Sequence, residues 1–72
     1  MAIINTWYIY GDDGRYLGRT DAFSAAAAFT EHMLLSGVTV GADELQVRDA
    51  SSTRRHIVFR DQKFLLVGIV LA

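Results

Sequence analysis

The chain has 72 residues, 51% of them hydrophobic, with seven Lys and Arg against eight Asp and Glu for a formal net charge of −1. That length admits one domain, residues 1–72, which buries only about 60% of the surface its unfolded chain exposes and so depends on close packing or a partner chain. The absence of cysteine excludes disulfides and thiolate metal sites, two histidines leave no ligand set for structural zinc, and a pI near 6.0 excludes a global basic field.

Residues 3–10, IINTWYIY, are β-branched and aromatic and read as a strand. Gly11-Asp12-Asp13-Gly14 turns the chain into a second strand at 15–20. One solution is a three-residue loop, Asp12-Asp13-Gly14, with Gly14 left-handed; the other is a two-residue loop centred on Asp12-Asp13. The choice shifts the register by one residue and exchanges the faces of Tyr16 and Leu17. The two adjacent aspartates offer too few oxygens, at the wrong spacing, for a calcium loop, and turn formation accounts for both.

Thr20 or Asp21 is the expected cap of a helix running to about Ser36, with Gly37 as its stop. At 100° per residue, Phe23, Ala26, Ala27, Thr30, Met33 and Leu34 form the expected sheet-facing stripe. Ser24, Ala25, Ala28, Glu31, His32 and Ser36 lie opposite, and Phe29 and Leu35 sit on the flanks. His32 is therefore expected in solvent.

A connection at 37–43 leads to three further strands, 44–48, 54–60 and 64–71, joined by residues 49–53 and by a tight hairpin at Asp61-Gln62. The expected fold is two-layer α+β: one helix on an antiparallel sheet of about five strands, in the order β-β-α-β-β-β. The hairpin followed by an alanine-rich helix, GDDGRYLGRTDAFSAAAAF, loosely resembles the ββα start of the antitoxin partners of bacterial toxin–antitoxin pairs. That likeness covers about the first half of the chain, lacks the proline-containing segment between strand and helix, and transfers no residue roles.

One helix covers one face of a sheet, so the other face should be polar. The middle strands alternate as required: Leu45 and Val47 against Glu44, Gln46 and Arg48, and Ile57 and Phe59 against His56, Val58 and Arg60. The first and last strands are apolar on both sides. Pairing Phe59 with Phe64 and Val58 with Leu65 places Phe59, Phe64, Leu66 and Val70 under the helix. Val58, Leu65, Val67, Ile69 and Leu71, with Tyr8 and Tyr10, then fall on the far face, where the four aliphatics of the last strand alone would expose roughly 400 Å² or more. The expectation is a homo-oligomer, a homodimer or higher, that buries this patch sheet to sheet or by exchange of the last strand. The alternative is a central last strand covered by the 37–43 loop.

Between residues 45 and 63, five cations stand against two carboxylates. Arg48, Arg54, Arg55, His56, Arg60 and Lys63 are the candidate contacts for nucleic acid or another anion, with the tyrosines as stacking surfaces. His56 at a subunit boundary is the candidate centre of a small-ligand or catalytic site. No nucleophile–base–orienter set is legible, so no catalytic residue, metal ligand or cofactor is assigned. The glycines form no phosphate loop; Gly18 and Gly68, inside strands, should mark close approach of the helix or of a partner backbone. No basic segment followed by an apolar stretch opens the chain, and the most apolar run, 64–72, is far shorter than the roughly 20 residues of a membrane span. The functional expectation is a cytoplasmic, non-enzymatic protein-interaction or regulatory module.

Overall fold

The computed structural model describes residues 5–41, 43–49 and 53–70, without the side chains of Asp49 and Val70. Ile3, Ile4 and Leu71, assigned above to strands, lie outside the described residues. The elements are β1 (Asn5–Gly11), β2 (Tyr16–Ala22), α1 (Ala25–Leu35), β3 (Leu45–Asp49), β4 (Arg54–Phe59) and β5 (Gln62–Val70). They form the expected two layers, with α1 against one antiparallel sheet of order β2-β1-β5-β4-β3. The two strands that read as apolar on both sides, β1 and β5, are the inner neighbours of this order. Among the described residues no helix is long and apolar enough to cross a membrane.

The first hairpin takes the three-residue loop. Gly14 has φ +83, its N–H donates to the Gly11 carbonyl at 3.0 Å, and the Gly11 N–H donates to the Arg15 carbonyl at 2.9 Å. The Asp13 carboxylate accepts the Arg15 N–H at 3.0 Å, the local bond that draws aspartate into turns. The register then slips once: Tyr10 pairs with Tyr16 but Ile9 with Gly18, leaving Leu17 as the bulged residue.

Neither expected cap serves α1. β2 continues through Ala22, so Thr20 pairs with Trp7, and Asp21 pairs with Thr6 and accepts its hydroxyl at 2.8 Å. Ser24 caps instead, in extended geometry, its Oγ accepting the Ala27 N–H at 3.1 Å. The far end closes as expected at Gly37 (φ +83), with Gly37 N–H to Leu34 O and Val38 N–H to Met33 O completing a Schellman motif.

The buried side of α1 also differs from expectation. Ala25, Ala28 and Phe29 are buried, with Met33 packed against them, whereas Phe23, Ala27 and Leu34 are exposed. The helix is apolar almost all round, so periodicity leaves its rotation open and shape decides it. Phe29 enters the space between Phe59 and Phe64, ring centroids 5.6 and 4.8 Å away. Ala25 and Ala28 on the same side let the backbone approach. This rotation carries His32 over β2 rather than into solvent: a Cβ on Gly18 would sit 3.1 Å from its Cε1.

Gly68 marks a different neighbour from the one expected, since a Cβ there would meet the Trp7 ring at 2.8–3.0 Å rather than helix or partner backbone. The last hairpin turns at Arg60-Asp61, not Asp61-Gln62. Both residues have positive φ (48° and 63°), as the type I′ turn needs to match strand twist. Phe59 therefore pairs with Gln62 and Ile57 with Phe64, two residues from the expected register. A two-residue shift preserves parity, so the expected faces hold. The core comprises Trp7, Ile9, Ala25, Ala28, Phe29, Ile57, Phe59 and Leu66, all between sheet and helix. Val38 and Val40 pack against that core, so the 37–43 connection covers the helix side and not the far face.

Candidate functional site

Pairing parity builds the far face row by row. Tyr16, Tyr10, Leu65, His56 and Arg48 are successive cross-strand neighbours through all five strands. A second row runs Arg19, Tyr8, Val67, Arg54, and a third Lys63, Val58, Gln46. At about 4.8 Å per strand, the longest row spans about 19 Å. The face is thus graded in chemistry: aromatic over β2 and β1, aliphatic over β5, and cationic and amide over β4 and β3.

The aromatic end is a cluster. The Tyr16 ring lies 5.6 Å from Tyr10 and 6.4 Å from Tyr8, and Tyr16 is 52% exposed. The bulge at Leu17 sets this register, aligning Tyr16 with Tyr10. Tyr16 is a site residue that alternation alone left open.

A groove of about 1040 Å³ lies on this side, bordered by the β1–β2 hairpin and above the usual size of a small-ligand pocket. Tyr10, Val58, Leu65 and Val67 contribute its apolar surface, and Arg48, Arg54, His56, Lys63 and Gln46 line the β4–β3 end and rim. Asp12 is the one carboxylate among the lining residues. Arg48, Arg54 and Lys63 are exposed and make no ion pair among the described residues. Unpaired cations beside an apolar floor produce a local positive potential despite the chain's net charge of −1.

Two expected contacts lie elsewhere. Arg55 pairs in register with Leu66 and Asp49, which sets it on the helix side of the sheet. Arg60 is in the turn, where its Nε donates to Glu44 Oε2 at 3.1 Å and its guanidinium stands 4.7 Å over the Phe59 ring. Glu44 Oε1 also accepts the Gly41 N–H at 2.9 Å. The Gly41 bond, then the Arg60 bond, holds the Glu44 carboxyl below its ordinary value.

Of the expected far-face residues, Val58, Leu65, Val67, Tyr8 and Tyr10 are half-buried and Ile69 is 51% exposed. The neighbouring side chains of the face, the tyrosines among them, therefore shelter most of the aliphatic floor. His56 has Leu65 and Arg48 as its register neighbours. Among the described residues no three His, Asp or Glu side chains gather as a metal site. The arrangement puts aromatic rings, an aliphatic floor and exposed cations on one face. Comparison with known protein families, with curated proteins and with solved structures gave no match.

Proposed function

We propose that the protein is a non-enzymatic binding module whose concave sheet face takes single-stranded nucleic acid. The observation that carries this reading is the pair of adjacent rows Tyr16–Tyr10–Leu65–His56–Arg48 and Arg19–Tyr8–Val67–Arg54, which join a stacking cluster to the exposed cations Arg48 and Arg54 on one surface. Every nucleobase offers a π face, so a tyrosine cluster takes bases without demanding a sequence. The sugar–phosphate chain would then cross the aliphatic floor to Arg54, Lys63 and Arg48. A duplex, with its bases stacked inside, offers nothing to the tyrosines.

A second copy of the chain is the competing occupant of this face, and the exposure of Ile69 beside Val67 and Leu65 favours it. A two-fold axis at the β4–β3 end of the face would bring Arg48 and Arg54 toward the same cations of the copy, whereas one along β5 would set them against the tyrosines. The joining of a stacking cluster to exposed cations on one face ranks nucleic acid first.

The test is fluorescence anisotropy with labelled single-stranded DNA and RNA oligonucleotides at low salt, comparing the natural chain with Arg48→Ala/Arg54→Ala. Saturable binding that the double substitution weakens supports the proposal. No binding, or binding indifferent to the substitution, contradicts it. Native mass spectrometry of the same samples separates a retained small anion or a second chain from an oligonucleotide complex.

A further inference from the structure

The first hairpin carries two adjacent aspartates, and its turn uses one of them. Asp13 accepts the Arg15 N–H at 3.0 Å, and the backbone bonds from Gly14 N–H to Gly11 O and from Gly11 N–H to Arg15 O close the loop. Asp12 is exposed, and its carboxylate makes no hydrogen bond or ion pair among the described residues. The register runs on from the Gly11–Phe64 pair toward Lys63, yet Asp12 and Lys63 form no ion pair. The free carboxylate lines the far-face groove together with Tyr10.

We infer that Asp12 reads the edge of a base stacked on the tyrosines, and that the base it selects is guanine. The inference rests on the nucleic-acid reading above and narrows its substrate class. An ionised carboxylate only accepts hydrogen bonds. The Watson–Crick edge of guanine presents two neighbouring donors, N1–H and the N2 amino group, which match the two carboxylate oxygens as a fork. Cytosine and adenine present one amino group beside a ring nitrogen that only accepts. Thymine and uracil present a single N–H between two carbonyls, and both carbonyls repel a carboxylate.

Placement supports the same assignment. Asp12 follows Tyr10 by two residues, on a loop held closed by backbone hydrogen bonds, so ring and carboxylate border one groove. A base of a single strand that stacks on an aromatic ring leaves its Watson–Crick edge open to side chains around that ring. Charge agrees with this division. The strand of Tyr10 is separated from that of His56 and Arg54 by two strand spacings, about 10 Å, with Arg48 one strand further. A phosphate drawn to those arginines stays clear of the carboxylate, which meets the base end of the nucleotide.

Fluorescence anisotropy at low salt tests the inference on the full chain, using a labelled thymidine tract with one central guanine, hypoxanthine, cytosine or adenine. The guanine tract is expected to bind at least about fivefold tighter than the plain tract, the lower bound for a forked base contact. Hypoxanthine, which is guanine without the N2 amino group, should lose most of that gain. Asp12→Ala and Asp12→Asn, which keep the Asp13 turn bond, should bring the ratio of guanine to thymine affinity close to one. The hypoxanthine comparison uses the natural chain, so it decides even if neither variant folds. Equal affinity for all tracts overturns the inference and leaves the nucleic-acid reading standing. So does hypoxanthine bound as tightly as guanine, or a guanine preference that survives both substitutions. An affinity that rises by the same factor for every tract when Asp12 is replaced also overturns it, since the carboxylate then acts by repulsion alone. Binding of no tract contradicts the inference and the reading beneath it together.

Discussion

Gly68 lies directly beneath the indole of Trp7, close enough that a Cβ at position 68 would stand 2.8 Å from the ring. The two residues are register partners on neighbouring inner strands, β5 and β1. Trp7 is 3% exposed and its Nε1 donates to the Ala22 carbonyl at 3.2 Å, so the ring has little freedom to retreat. Gly68→Ala is expected to destabilise the fold by about 1–3 kcal/mol through overpacking. Urea unfolding followed by Trp7 fluorescence measures it, and a variant as stable as the natural chain contradicts the close packing.

The rotation of α1 makes a paired prediction. Phe29 fills the space between Phe59 and Phe64, so Phe29→Ala should cost about 3–5 kcal/mol, a large share of a small domain's stability. Leu34→Ala, on the exposed side, should change single-chain stability by about 0.5 kcal/mol or less. Thermal or denaturant unfolding of the two variants at equal dilution checks the order. The reverse order returns the helix to the rotation expected from periodicity.

Glu44 ties the connection before β3 to the last hairpin through Gly41 and Arg60. Its carboxyl titrates below the ordinary value of 4.5 in the folded chain, so the folded state favours the charged form. Its contribution is therefore complete above the unfolded value and is lost as pH falls through the lower folded one. Glu44→Gln should melt below the natural chain at neutral pH, and the gap should close on acidification beneath pH 4.5. Melting curves across that range read the difference directly, and a gap that persists in acid contradicts the assignment.

Tyr16 separates stacking from a purely structural role. It is half exposed beside Tyr10 and Tyr8, so Tyr16→Ala should weaken oligonucleotide binding by about 1–3 kcal/mol while leaving the fold intact. Tyr16→Phe keeps the ring and should retain most of the affinity. Loss of binding in both variants points to the hydroxyl rather than the ring.

Much of this architecture is written in alternation. The two-sided apolar pattern of the first and last strands is that of inner strands, and β1 and β5 are neighbours in the middle of the sheet. Face assignment survived a displaced turn because Phe59–Phe64 and the observed Phe59–Gln62 pairing differ by an even step. The helix rotation was not legible, because alanines and leucines on every side give periodicity no contrast and the decision rests on where Phe29 fits. Thr20 and Asp21 suit a cap and a strand equally well, and pairing with Trp7 and Thr6 decided between them. The candidate site divided the same way. Arg48, Arg54, His56 and Lys63 were legible as one basic segment, whereas the joining of Tyr16 and Tyr10 to their row depends on β1–β5 pairing, a long-range contact with no local signature.

The most direct test of the concave face is the salt dependence of oligonucleotide affinity. Three phosphate contacts, at Arg48, Arg54 and Lys63, predict that log K falls against log salt with a slope of about −2 on a single strand. Removing two of them in Arg48→Ala/Arg54→Ala should flatten the slope to about −0.7. A slope near zero in the natural chain, or one unchanged by the double substitution, contradicts the account.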